Sequence, residues 1–503
     1  MSAERRTRLL GLGIAALTTA FVLLGQYRPV EQPAALGLAV AAVSGAAAGA
    51  VAYLAVTRPW WGLVAWLVAT PLINMARAQL WAGPLQLIAP TVIIAALVVG
   101  VLLTRRRGAA GAGAPAAAWW LLGLATALAL LATLGGPHSR ESLNITWHGL
   151  LEPFAVLGCV LALRPDARAA IHALAALAAG VVTAAAVNLV WLFGTLTPLG
   201  TYERRFFLAR LNYFNVGIFG GMVVVALCQV GVVLLARARL GWPRWVVPLA
   251  WGAIGLLLVA IFFTYTKSAW VAATVGLTLM VLLLVRGWLR RAVLLVALFS
   301  LLAVVVPYPS PVLERIAPGL EEAYRDFVVS LQSEERVDSW DPDTEEGSGS
   351  VGIRWVALDA SLELIGRHPL VGVGPGRFGP EFAAIRPDAA VSNLTSAHNL
   401  LANVAVEYGM PLALLISFAF VAGVVMGLPA LDEPDPLRRV AAVGVSVTLV
   451  AFFVFAGIFG LDLYRTFRTM NADVVTLAVL LGLAVSLRSA PAGGQLPDAL
   501  HQQ

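Results

Sequence analysis

The chain is short of charge. Of its 503 residues, 12% are Asp, Glu, Lys or Arg and 59% are hydrophobic. A soluble domain carries roughly 25% charged residues, so an ordinary soluble globular fold is excluded. Cysteine is also scarce. Cys159 and Cys228 are the only two, both inside apolar runs and without metal-ligand spacing, and they read as packing residues. Lysine is nearly absent, with Lys267 standing alone. The net charge of +6 does not point to nucleic acid, because basic residues at the ends of apolar runs account for most of it. No repeat of fixed period is visible.

What is there is a series of apolar blocks, many of them close to the roughly 17–25 residues that cross a bilayer. They fall near residues 9–24, 34–56, 60–73, 85–103, 116–134, 150–163, 169–192, 211–235, 245–263, 269–285, 292–306, 412–428, 440–459 and 474–487. The expected fold is an all-α polytopic membrane protein with about 14 transmembrane helices. The N-terminal "MSAERRTRLLGLGIAALTTAFVLL" imitates a signal peptide. It lacks a clear small-residue cleavage site and more spans follow, so it reads as an uncleaved first helix. Alternate connections hold the basic clusters, such as Arg105, Arg106 and Arg107, or Arg286, Arg290 and Arg291. By the positive-inside rule those connections, and both termini, are expected to be cytoplasmic.

One connection departs from this pattern. The expected organisation is residues 1–307 as spans one to eleven, 308–411 as a large outer loop, and 412–503 as the last three spans and a cytoplasmic tail. The loop holds more than half of the acidic residues. "SEERVDSWDPDTEEGSGS" reads as a mobile acidic segment. "GIRWVALDASLELIGRHP" reads as an amphipathic helix with Ile353, Val356, Ala357, Ala360 and Leu364 on one face, stopped by Pro369. Glycine turns at Gly372, Gly374, Gly376 and Gly379 follow, and then His398, Asn399 and Glu407. "GVGPGRFG" superficially resembles a dinucleotide fingerprint, but no βαβ unit surrounds it, so a nucleotide site is rejected.

The expected outer face carries cations: Arg204, Arg205 and Arg210, then Lys267, Arg354, Arg465 and Arg468. Two readings stay open. They meet phospholipid headgroups by snorkelling, or they gather an anion at the outer leaflet, a lipid diphosphate being the natural candidate. His398 is likewise open between a structural residue at a helix start and a general base of near-neutral pKa. Glu407 could orient it or stabilise charge.

The run "HPLVGVGPGRFGPEF … AHNLLANVAVEYGMPLALL" resembles the signature region of the O-antigen ligase and O-antigen polymerase superfamily. The correspondence runs through Arg354-Trp355, His368-Pro369, Gly372 and Gly374, His398-Asn399, and Glu407 with Gly409. "RLNYFN" and "TYTKSAW" extend it weakly along the chain. The resemblance implies a metal-independent, inverting glycosyltransferase of the GT-C type, with no cofactor, in the bacterial inner membrane. Its donor would be a glycan on a polyprenyl (undecaprenyl) diphosphate; its acceptor would be a hydroxyl of a glycan, a lipid A core or another molecule. It implies diphosphate contacts at Arg210 and Lys267, the latter where the family pattern has arginine, and a base at His398. Arg204, Arg205, Arg354 and Asn399 join them as candidate substrate-binding residues, and Glu407 joins His398 as a candidate catalytic residue. A ligase is favoured over a polymerase. A transporter or flippase of lipid-linked sugars is the rival of another class; discontinuous helices with charges near the midplane would favour it.

Overall fold

A computed structural model of the chain describes residues 3–26, 34–80, 88–106, 115–136, 140–194, 216–264, 267–305, 350–386, 394, 396–397, 399–458 and 472–489. Regular structure among these residues is helical throughout. That follows from the solvent: in hydrocarbon every backbone N–H and C=O must find an internal partner, and a helix supplies them all locally. The first helices are α1 (Ala3–Gln26), α2 (Ala34–Thr57), α3 (Pro59–Leu80), α4 (Ile88–Arg106) and α5 (Ala116–Gly135). A broken span follows, made of α6 (Arg140–Thr146), a π-helical turn (Trp147–Leu151) and α7 (Glu152–Leu163). Then come α8 (Ala167–Gly194), α9 (Val216–Leu240), α10 (Val246–Thr264), α11 (Lys267–Leu284) and α12 (Trp288–Val305). The large loop contributes α13 (Ser350–Arg367), α14 (Phe378–Ile385) and α15 (Leu400–Tyr408). The chain closes with α16 (Met410–Gly427), α17 (Pro436–Phe453) and α18 (Ala472–Ser489).

Each of the expected apolar blocks coincides with one of these helices or helix pairs. Among the described residues, six helices are long and apolar enough to cross a membrane by length and composition. Shorter apolar helices accompany them, among them Ser268–Leu284 and Val474–Ser489. The chain is a polytopic helical membrane protein.

Two of the departures from the sequence reading bear on the site. The span expected from residue 150 begins ten residues earlier, at Arg140, because the polar stretch "RESLNITWH" is folded into the helix rather than left outside it. The segment before α16 is not a plain entry into the membrane. It forms α15, ends at Gly409 with a positive φ (89°), and restarts with Pro411 in the first turn of α16.

α9, α17 and α18 supply much of the core, with Val223, Val225, Val232, Val445, Leu449, Val479 and Leu483 fully buried. Apolar outer faces occur on several helices, among them α5 and α16, where Trp120, Leu131, Leu134, Leu414, Phe418 and Val421 are exposed. In lipid these are solvated side chains. Helix contact then depends on close backbone approach by small residues. A side chain at Gly62 or Gly100 would collide with the Ala55 backbone of α2, and one at Gly221 with the Phe455 ring. Cys228 packs beside Gly276 and Ala451, the packing role expected of it. Away from the loop, the His172 ring lies between Trp61 and Trp242, with centroids 5.8 and 5.7 Å away, and so ties α3, α8 and the end of α9.

The Gly100 crossing gives a direct test of this packing. Gly100→Val places a branched side chain against Ala55, and overpacking of this kind typically costs about 1–3 kcal/mol. A lower midpoint of thermal unfolding in detergent is expected; a midpoint equal to wild type would contradict the α2–α4 contact.

A candidate active site at the loop–membrane junction

The described part of the large loop builds a small core of its own. Ala357, Ala360 and Leu364 on one face of α13 are buried against Val373, Phe378, Phe382, Leu394, Ala397 and Val406. Three of these, Ala357, Ala360 and Leu364, belong to the face expected from periodicity. Phe378 and Phe382 stack one helical turn apart, 5.8 Å between centroids. Ion pairs close the rim. Arg386 bonds Asp359 at 2.8 Å and Glu363 at 2.9 Å, and Arg377 bonds Glu381 at 3.0 Å. Arg367 also pairs with Glu363. These loop cations are engaged by carboxylates of their own segment, chiefly Asp359 in the case of Arg386, which raises the pKa of its guanidinium.

Between α13 and α14 lies the glycine turn. Gly372, Gly374 and Gly376 have φ of 68°, 101° and 76°, values that side chains with a Cβ rarely adopt. Gly379, also expected in a turn, lies instead within α14. The turn is bonded to the end of α15. The Val373 amide donates to the Val406 carbonyl at 2.8 Å and the Gly374 amide to the Glu407 carbonyl at 3.1 Å. The last carbonyls of a helix have no partner within it, and here the turn supplies two. The Met410 amide donates to the Pro369 carbonyl at 2.8 Å, so the His-Pro end of the turn is held to the first residue of α16.

α15 begins at Asn399. The Asn399 Oδ1 accepts from the Leu401 and Ala402 amides, each at 3.0 Å, a regular N-cap. Its Nδ2 donates to the Gly457 carbonyl. The Ala397 amide donates to Asn403 Oδ1 at 2.7 Å. The two chain neighbours of His398 are therefore both fixed. At the other end of α15, Glu407 and Tyr408 are buried, each 2% exposed. Tyr408 Oη lies 3.4 Å from Thr146 Oγ1, which is 2.6 Å from Thr133 Oγ1. Burial, and then the Glu407 charge, push the Tyr408 phenol well above its ordinary pKa; the Thr146 bond offsets part of this. At neutral pH it is a hydrogen-bonding hydroxyl and not a base. The turn is pinned from the α5–α6 side as well. Ser142 Oγ donates to the Pro375 carbonyl at 2.9 Å, and a Cβ on Gly136 would lie 3.1 Å from the Gly374 Cα.

The candidate residues are distributed as follows. Glu407 and Asn399 are the two ends of α15, and the glycine turn rests on the Glu407 end. Lys267 opens α11, and Arg354 lies in the second turn of α13. Arg204, Arg205, Arg210 and His398, with Arg465 and Arg468, lie outside the described residues. Thr133, Ser142, Thr146 and Tyr408 were not anticipated. A hydroxyl carries no sequence signal of which partner it will meet.

Gly372→Ala tests the junction. The substituent needs a strained φ and meets the Glu407 backbone at 2.5 Å; strain of this kind costs roughly 1–3 kcal/mol before the clash is counted. Increased proteolysis of the loop is expected, with α16 and α17 still inserted. A protease pattern identical to wild type would contradict the turn.

Residues 252–417 match the family model described as O-antigen ligase. The match runs from α10 through the loop, the glycine turn and α15 into α16. It covers the signature residues from Arg354 to Gly409, and the superfamily resemblance read from them is supported by it. No curated protein matches the chain.

Proposed function

We propose that this chain, a membrane enzyme of the O-antigen ligase superfamily, transfers a glycan from an undecaprenyl diphosphate to an acceptor hydroxyl at the outer face of the bacterial inner membrane. The observation that carries the reading is the junction itself. A glycine turn is bonded to the last turn of α15, the helix that Asn399 caps and that carries Glu407, and the whole arrangement falls within the matched region.

In this reading His398 accepts the proton of the acceptor hydroxyl. The oxygen attacks the anomeric carbon, the bond to the diphosphate oxygen breaks with inversion, and its electron pair leaves with the diphosphate. Arg210 and Lys267 hold that growing charge, with Arg354, Arg204 and Arg205 as further anion contacts, in place of a metal. Asn399 caps α15 and so fixes where the chain carrying His398 joins the helix. Glu407, buried under the turn, orients the base or balances its charge.

Purified protein in EDTA, given undecaprenyl-diphosphate glycan with a lipid A core or free glycan, is expected to form product. Activity lost in EDTA and restored by magnesium or manganese would refute the metal-free route. Elongated glycan formed in preference to glycosylated lipid A core would make the enzyme a polymerase. A general base contributes about 10²–10⁴-fold, so His398→Gln is expected to lose turnover on that scale while donor binding persists. Near-normal turnover would move the base to Glu407 or another carboxylate.

The diphosphate contact is tested separately. Lys267→Ala is expected to weaken donor use strongly, and Lys267→Arg to retain it, because guanidinium keeps the charge and adds a second hydrogen bond. Full turnover of Lys267→Ala at limiting donor would remove Lys267 from the site. One observation favours the transporter reading, namely the ionisable pair His148–Glu152 inside a broken span. Movement of lipid-linked sugar across vesicles without any acceptor would support that reading instead.

A further inference from the structure

The pair His148–Glu152 sits within a membrane span, both side chains under 10% exposed, with His148 Nδ1 and Glu152 Oε2 2.9 Å apart. Ionisable groups at membrane depth are costly and are retained for a reason. Glu152 gathers more than the histidine. Its Oε1 accepts from the Trp147 indole at 3.1 Å and from the Thr91 hydroxyl of α4. Trp147 and His148 precede it by five and four residues, the spacing that a π-turn brings onto one face.

The π-turn has a local cause. Pro153 has no amide to give the Gly149 carbonyl, and its ring crowds that carbonyl. The Glu152 amide reaches back five residues, to the Trp147 carbonyl. A π-turn inserts one residue into the helix, and at 3.6 residues per turn this rotates α6 by about 100° relative to α7. The rotation separates two faces that a continuous helix would superpose. Val160 of α7 faces α18 at Gly482, whereas Ser142 and Thr146 of α6 face Pro375 and Tyr408.

We infer that Glu152 is a positioning residue: by clamping the π-turn it sets the rotation of α6, and through Ser142 and Thr146 it holds the glycine turn and α15 in place for the reaction. The inference rests on the proposed transfer for its kinetic consequence only. Ser142, Thr146 and Glu152 all lie outside the region matched to the family. Ionisation of Glu152 is not required, since a carboxamide can accept from Trp147 and Thr91 through its oxygen and donate to His148 Nδ1 through its nitrogen.

The test combines amide exchange with kinetics on the full chain in detergent. The Val373 and Gly374 amides report the docked turn directly, because each is bonded to α15. In Glu152→Leu their exchange is expected to rise by roughly tenfold, the signature of local opening, while the α17 core stays protected. kcat is expected to fall by about tenfold with KM for the donor within about twofold, since an interaction that matters only at the reacting centre is lost. Glu152→Gln is expected to restore both, and Thr146→Val to reproduce the loss, with Thr146→Ser recovering it. Unchanged exchange at Val373 and Gly374 in a folded Glu152→Leu protein overturns the inference. So does a Glu152→Gln variant as impaired as Glu152→Leu, because the carboxylate would then be handling a proton. If Glu152→Leu does not fold, Thr146→Val decides alone, and wild-type exchange and kcat there overturn the inference. Should the wild-type protein make no transfer product, the proposed function fails while the exchange measurements still decide the linkage.

Discussion

Two backbone hydrogen bonds organise the junction: the Val373 and Gly374 amides on the Val406 and Glu407 carbonyls. Those carbonyls end α15, where the helix itself offers no further donors. Buried without partners, they would each cost about 1–3 kcal/mol. The turn that satisfies them must come close and must bend twice, so glycine at 372 is required by both φ and distance. The same argument applies one step on. Gly409 has φ 89°, and a side chain there would strike the Leu370 carbonyl. The α15–α16 corner and the glycine turn are therefore one object, and the loop cannot shift on the membrane helices without breaking both.

A seam of hydroxyls carries that object into the bundle. Thr133, Thr146 and Tyr408 are linked in a row, and Ser142 reaches the Pro375 carbonyl. In hydrocarbon the apolar contacts between helices are nearly neutral, because lipid offers the same contacts. Hydrogen bonds between helices then specify which face meets which. The rotation of α6 imposed by the π-turn decides whether these hydroxyls face α5 and α15 or instead share a face with α7. Local chemistry at Pro153 and Glu152 thus reaches a site formed by residues more than two hundred positions away.

Much of this was legible in the sequence, for reasons that differ by element. Apolar blocks announce spans because bilayer thickness sets their length, and each was met by a helix. Ala357, Ala360 and Leu364 announced a buried face because a helix repeats every 3.6 residues. The glycines at 372, 374 and 376 announced tight turns because little else tolerates such φ. Glu152 is an acid within an apolar run of the sequence, but nothing there names its partners. The π-turn was not visible, since a proline at 153 suits the first turn of a new helix equally well. Nor was the burial of Glu407 and Tyr408, because it depends on a turn thirty residues earlier in the chain. The same holds for Asn399: its cap could be inferred from spacing, but its bond to Gly457 joins segments that only the fold brings together.

The loop's own core explains why so many ties to the bundle are needed. In its described part that core consists of two phenylalanines, two leucines and a few alanines and valines. A set so small cannot offset the ordering of the segments that carry it, since domains of this size are marginal without a further staple. Surface ion pairs such as Arg386–Asp359 add little, the median exposed pair being worth about 0–1 kcal/mol. The missing stability comes from outside the loop, through Pro369 to Met410, Ser142 to Pro375, Tyr408 to Thr146 and Asn399 to Gly457. Each of these bonds joins the loop or α15 to a helix of the bundle or its end. Loop order and docking on the membrane helices are thereby one equilibrium, and the glycine turn, Tyr408 and the hydroxyls of α5 and α6 come together only in its docked state.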